Sequence, residues 1–229
     1  MRESRRLIRI QREIAHHHPS AFLLAAQLFS LVLYAALDEQ HSGRAILSAF
    51  GALVLVLVLW VVSRSPVVQW IAWALAIPAF VLTIISAFYT NPTLLAWSSM
   101  INAALYFYAA SSLIAYMLRD RRVTTDELFA AGTTFTMLAW GFAYLYLAFQ
   151  EFVPGGFLNG SHPDQPLTFI EMLSLSFTNL SATGLGDIMP IAAPTRVLVM
   201  LEQVAGIGYV TIVISRLIGL TTAARERTR

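Results

Sequence analysis

Six stretches of this sequence are apolar for long enough to cross a bilayer as helices: Ser20–Leu37, Ala45–Ser63, Val67–Tyr89, Thr93–Leu118, Leu128–Gln150 and Arg196–Leu220. Spanning about 30 Å of hydrocarbon takes about 20 helical residues. The breaks carry charge or turn residues: Asp38-Glu39, Arg64-Ser65-Pro66, Asn91-Pro92 and Arg119-Asp120-Arg121-Arg122. Only 12% of the residues are charged, against roughly twice that in a soluble domain. So little charge cannot cover a water-facing surface, and an all-α membrane protein is expected. The chain has no cysteine, which excludes disulfides and thiolate metal sites. A net charge of +2 is too small to indicate a nucleic-acid partner. The polar, Arg-rich first eighteen residues, and the lack of a small-residue cleavage site after the first apolar run, predict that this run stays as a membrane helix.

Arginine placement sets the orientation. Arg2, Arg5, Arg6, Arg9 and Arg12 precede the first span, Arg64 lies in the second loop, Arg119, Arg121 and Arg122 lie in the fourth, and Arg225, Arg227 and Arg229 follow the last. An even number of spans puts all of these on the cytoplasmic side, with both termini. The opposite loops hold Arg44 and Arg196 but carry Asp38, Glu39, Glu151, Asp164 and Asp187. Three units are expected. Residues 1–19 form a cytoplasmic segment, in which Leu7, Ile10 and Ile14 give Arg2–Ala15 the spacing of an amphipathic interfacial helix. Residues 20–122 form a four-helix transmembrane domain and residues 123–229 the last two spans with the segment between them. His16-His17-His18 is a candidate pH sensor, although such clusters are more often merely solvated.

Residues Glu151 to Thr195 do not fit a simple loop. A turn-rich excursion with Pro154, Gly155, Gly156, Gly160, Pro163 and Pro166 comes first. It includes a match to a glycosylation sequon at Asn159-Gly160-Ser161, a pattern common by chance. Thr168 and Glu171 then have the spacing of a capping box, followed by the apolar run Met172–Leu180. A helix from Thr168 to about Asn179 is about 18 Å long, enough to enter a membrane but not to cross it. It stops at Ser181-Ala182-Thr183-Gly184-Leu185-Gly186-Asp187. Irregular backbone at membrane depth is tolerated only where it is buried in protein or lines a watery cavity. A helix C-terminus directs partial negative charge toward the membrane centre. Alternating glycines permit dihedrals that aim successive carbonyls at one axis, and rings of such carbonyls replace an ion's hydration shell.

Thr183-Gly184-Leu185-Gly186-Asp187, with Pro190 after it, resembles the signature of the potassium-channel superfamily, whose common form is Thr-Val-Gly-Tyr-Gly-Asp. Val204-Ala205-Gly206-Ile207 resembles that family's inner-helix motif around a gating-hinge glycine, and the interval from Pro190 needs no gap. The resemblance covers Leu128 to Leu220. It implies an outer helix 128–150, a re-entrant pore helix 168–179, a selectivity filter 181–187 and an inner helix 196–220. Ser181, Ala182, Thr183, Gly184, Leu185, Gly186 and Asp187 then form the filter, with potassium held by the carbonyls of Ala182, Thr183, Gly184 and Leu185. Gly206 is the hinge candidate, and Thr178 and Glu202 are candidate filter supports. The departures matter. Ala182 stands where the family has a threonine ligand, Thr183 where it has valine and Leu185 where it has tyrosine. The aromatic partner of that tyrosine is also missing from the matching stretch Ser174-Leu175, which argues for a different bracing scheme.

Glu202 is the one carboxylate within the six predicted spans. Intramembrane ionisable groups are functional candidates by default, and the bland alternative is a hydrogen-bonded structural glutamate. Glu171 is read as a helix cap only. The fourth span, Thr93–Leu118, has no arginine or lysine, so the voltage-sensing pattern is missing. Together the resemblance implies a homotetrameric, potassium-preferring channel with relaxed selectivity and without intrinsic voltage gating. Its expected location is the plasma membrane, as a multi-pass protein of a bacterial inner membrane. Its partners are its own copies, lipids and monovalent cations, with no nucleic acid, no organic cofactor and no catalysis. A secondary transporter is the runner-up, but only one broken region occurs where transporters have two. A non-conducting channel-like subunit is the third reading.

Overall fold

The computed structural model describes residues 19–37, 57, 69–88, 91–119, 125–160 and 165–226. Four helices come first: α1 (Pro19–Leu37), α2 (Gln69–Phe88), α3 (Pro92–Arg119) and α4 (Thr125–Phe152). Strand β1 (Phe157–Asn159), the short helix α5 (Phe169–Leu180), strand β2 (Ile188–Pro190) and the long helix α6 (Ala193–Glu226) follow. The segment Arg2–Ala15, the histidines His16-His17-His18 and, apart from helical Leu57, the expected second span Ala45–Ser63 lie outside the described residues.

Among the described residues, three helices are long and apolar enough to cross a membrane: Pro92–Leu118, Glu127–Phe152 and Ala193–Arg216. They are the fourth, fifth and sixth stretches picked out by hydropathy. The first and third appear as shorter apolar helices, Ser20–Leu33 and Trp70–Ser86. Pro78 lies inside α2, which continues as helix on both sides of it.

Helix α4 is the axis of the fold: α1, α3 and α5 all pack on it, and α2 packs on α3. Small residues let the helices approach closely. A Cβ on Gly141 would sit 3.0 Å from the Phe107 ring of α3, and one on Gly132 would sit 3.0 Å from Leu24 of α1. Ala109, Ala110, Ala139 and Ala143 are buried in the same core. Ring pairs fill the spaces between them, with Phe107 edge-on to Phe142 at 4.9 Å and Tyr106 stacked on Tyr144 at 5.6 Å.

Polar side chains join the apolar helices where no water competes. Thr133 donates to the Ser20 carbonyl at 2.8 Å, and Thr136 donates to Gln27 Oε1 at 2.6 Å, tying α1 to α4. Asn102 of α3 donates to Thr83 of α2 at 3.1 Å. At the other end of the bundle, Arg216 of α6 pairs with Glu127 of α4 at 3.1 Å, and Glu127 is buried. A cavity of about 310 Å³ opens beside that pair, between α3, α4 and α6.

Candidate functional site

The short helix α5 starts where the capping box predicts. Thr168 is its N-cap and accepts from the Glu171 amide, while Glu171 Oε2 accepts from the Thr168 amide at 2.7 Å. Glu171 does more than cap, because its Oε1 accepts from Asn159 Nδ2 at 2.6 Å. That bond fastens β1 to the start of α5. Asn159 is buried and its amide is occupied, so the sequon match at this position is structural.

The depth that α5 reaches can be counted along α4. Gln150 holds both ends of the Leu167 peptide, through Leu167 N–H at 2.8 Å and the Leu167 carbonyl at 3.2 Å. Ser176, further along α5, lies 2.9 Å from the Ala139 carbonyl. Gln150 and Ala139 are about 16 Å apart along the α4 axis at 1.5 Å per residue. Ala139 is also at the middle of the stretch Glu127–Phe152. On the opposite side, a Cβ on Gly206 would fall 2.1 Å from the Leu180 carbonyl oxygen. Gly206 sits near the middle of Ala193–Arg216. The C-terminal end of α5 therefore stops halfway along both long helices that flank it.

The Gly-x-Gly segment hangs from that end. The Thr178 carbonyl accepts from the amides of Thr183 and Gly184, at 3.0 and 3.1 Å, and from Thr183 Oγ1 at 3.1 Å. Thr183 Oγ1 also meets Ser181 Oγ at 3.1 Å. Thr178 thus supports the segment through its main chain, while its own hydroxyl turns back to Leu175. Ala182 and Gly184 both adopt left-handed backbone, with φ of 58° and 63°. For alanine this costs about 1 kcal/mol or somewhat more, and such strain persists only where the surroundings over-determine it. The bond from Ala182 N–H to the Asn179 carbonyl at 3.0 Å and the three bonds onto Thr178 do so here.

All of Ser181 to Asp187 are exposed in the single chain, although Asn179 and Leu180 before them and Ile188 after them are buried. Leu185 is 75% exposed, so within one chain it does not pack on buried Leu175. Beyond the segment, β2 pairs antiparallel with β1, placing Asn159 opposite Ile188 and Phe157 opposite Pro190. Gly160 N–H donates to the Asp187 carbonyl at 2.9 Å. The two ends of the segment are therefore fixed to α5 and to this small sheet.

Behind α5, aromatic and polar contacts tie it to α4 and α6. Trp140 stands edge-on to Phe177 at 6.0 Å, and Phe135 lies 6.1 Å from the same ring. Tyr144 packs on Phe169 at 4.7 Å. Glu202 of α6 is fully buried and bonds Ser176 of α5 and Tyr146 of α4. One residue on, Gln203 Nε2 donates to Asn179 Oδ1 at 3.0 Å. The structure thus joins Thr178 to residues 183 and 184, places Glu202 against Ser176 of the same short helix, and seats Gly206 against the end of α5. Sequence reading missed Tyr146, Ser176, Gln203 and the Glu127–Arg216 pair. Arg216 inside the last apolar run was a visible signal, whereas the hydroxyl partners of Glu202 lie 26 and 56 positions away.

A family model described as "Ion channel" matches residues 103–223, more than half of the chain. The match starts within α3 and runs through α6. No curated protein and no solved structure matches the chain.

Proposed function

This chain belongs to the ion-channel family and carries the pore module of the potassium-channel superfamily between residues 103 and 223, and from that premise we propose that it forms a tetrameric, potassium-preferring channel. The carrying observation is the bare segment Ser181–Asp187, exposed along its length and held halfway along two long apolar helices. At membrane depth, irregular backbone cannot face lipid. Copies of the same chain arranged around an axis cover it, and cyclic symmetry closes such a ring with one kind of interface. In that reading α4 is the outer helix, α5 the re-entrant pore helix and α6 the inner helix, in a protein of six spans with both termini in the cytoplasm.

The alternation of left-handed residues at 182 and 184 supports a filter whose carbonyls at Ala182, Thr183, Gly184 and Leu185 face the axis. Carbonyl rings of that kind take the place of water around a permeating potassium ion. The innermost site lacks the usual threonine hydroxyls, and exposed Leu185 makes no brace within its own chain. Both features favour relaxed selectivity. The test is reversal potential in liposomes with potassium on one side and sodium on the other. The reading expects a potential of potassium sign that falls short of full sodium exclusion. A pore that passes both ions equally, or slow saturable flux without unitary steps, overturns it.

A further inference from the structure

Glu202, Ser176 and Tyr146 come from three different helices, and each is fully buried. The Tyr146 hydroxyl meets Glu202 Oε2, and Ser176 Oγ meets Glu202 Oε1. Ser176 Oγ also lies 2.9 Å from the Ala139 carbonyl of α4. The protons can be counted. A carbonyl oxygen and an ionised carboxylate only accept, whereas a hydroxyl has a single proton to donate. If Glu202 were ionised, the one proton of Ser176 would have to be shared between two acceptors, the carboxylate and the Ala139 carbonyl. The carboxylate would also be a buried charge whose recorded partners are two hydroxyls. The nearest arginines of its own helix, Arg196 and Arg216, are about 9 and 21 Å away along the axis. A buried charge without a counter-charge is costly. If Oε1 carries a proton, every contact is satisfied: Glu202 donates to Ser176, Ser176 donates to the Ala139 carbonyl, and Tyr146 donates to Oε2.

We propose that Glu202 is a neutral carboxylic acid whose proton fastens the pore helix to the outer and inner helices together, making it a positioning residue for the filter. The inference rests on the channel reading for its consequence, though not for its chemistry. Ser176 stands two residues before Thr178, whose carbonyl holds the amides of Thr183 and Gly184. A displacement of the inner helix at Glu202 therefore acts through Ser176 on Thr178, two residues along the same helix. The Gln203–Asn179 bond adds a second tie at the same level.

The test uses the full-length protein in liposomes. Glu202→Gln retains the pattern, because its amide N–H donates to Ser176 and its carbonyl accepts from Tyr146. It is expected to keep the thermal stability of the assembly and the potassium–sodium reversal potential of the parent. Glu202→Ala and Ser176→Ala are expected to lower stability and to shift the reversal potential toward zero. The infrared difference between parent and Glu202→Gln at neutral pH should contain a protonated-carboxyl carbonyl band that the variant lacks. A carboxylate band in its place, or a Glu202→Gln protein as impaired as Glu202→Ala, overturns the proposal. The infrared and stability readings need no current. They judge the neutral acid even if the protein fails to conduct, whereas absence of conduction with the band present counts against the channel reading alone.

Discussion

Ala182 decides how the filter can be tested at the residue scale. Replacing it by threonine would restore the family's hydroxyl but would place a β-branched side chain at a left-handed position with φ of 58°. Such residues are outliers there. Serine supplies the hydroxyl without the branch. Ala182→Ser combined with Leu185→Tyr is therefore expected to move the potassium–sodium reversal potential further toward potassium. If the parent already excludes sodium as completely as this double variant, the relaxed filter is wrong. Gly206 is a second residue-scale case. It lies within an unbroken helix, and a Cβ there would overlap the Leu180 carbonyl at 2.1 Å. Overpacking of this kind costs roughly 1–3 kcal/mol, occasionally more. Gly206→Ala is expected to lower the thermal stability of the assembled protein, because the backbones of α5 and α6 must separate. A variant as stable as the parent but with altered open probability would instead favour the hinge role.

At the scale of elements, α3 is the informative helix. In voltage-gated relatives of the superfamily the helix before the pore carries regularly spaced cations, each contributing about 2.3 kcal/mol per 100 mV when it crosses the field. The run Thr93–Leu118 has none. Its contacts explain what it does in their absence: Tyr106 and Phe107 interleave with Tyr144 and Phe142 along α4. Helix α3 is thus packed against α4. The expected conductance–voltage relation is shallow, and a steep one carrying many elementary charges per channel would contradict this. The β1–β2 pair is an element that hydropathy gave no sign of. Three residues a side are too few to carry a periodic pattern, and the Asn159–Glu171 bond that ties the pair to α5 joins residues 12 positions apart.

For the whole molecule, the expectation is a four-fold assembly. One chain supplies one strand of carbonyls, and two of the exposed faces are ones that a ring would cover: residues 181–187 and the apolar side of α6 that includes Val204, Ile207 and Val210. Native mass measurement in a membrane mimetic should give a mass near four copies. A conducting monomer or dimer would refute the assembly. Within one chain α6 is tied at its start by Thr195 to the Gly156 carbonyl, at its middle by the Glu202 cluster and the end of α5, and further on by Tyr209 to the Ala131 carbonyl and by the Glu127–Arg216 pair.

The sequence by itself determined the long helices, the capped half-helix and the Gly-x-Gly segment after it. Each depends on local chemistry: runs of apolar residues, a threonine three positions before a glutamate, and glycines where L-residues are strained. Only the tertiary structure decided that Thr178 supports the segment through its carbonyl, that Ala182 shares the left-handed backbone with Gly184, and that Gly206 sits against Leu180. It also gave Glu202 its partners. Ser176 and Tyr146 are ordinary residues in the chain, 26 and 56 positions from Glu202. They become a site because three helices of different length and order cross at one depth, and no periodicity within any one helix encodes that crossing.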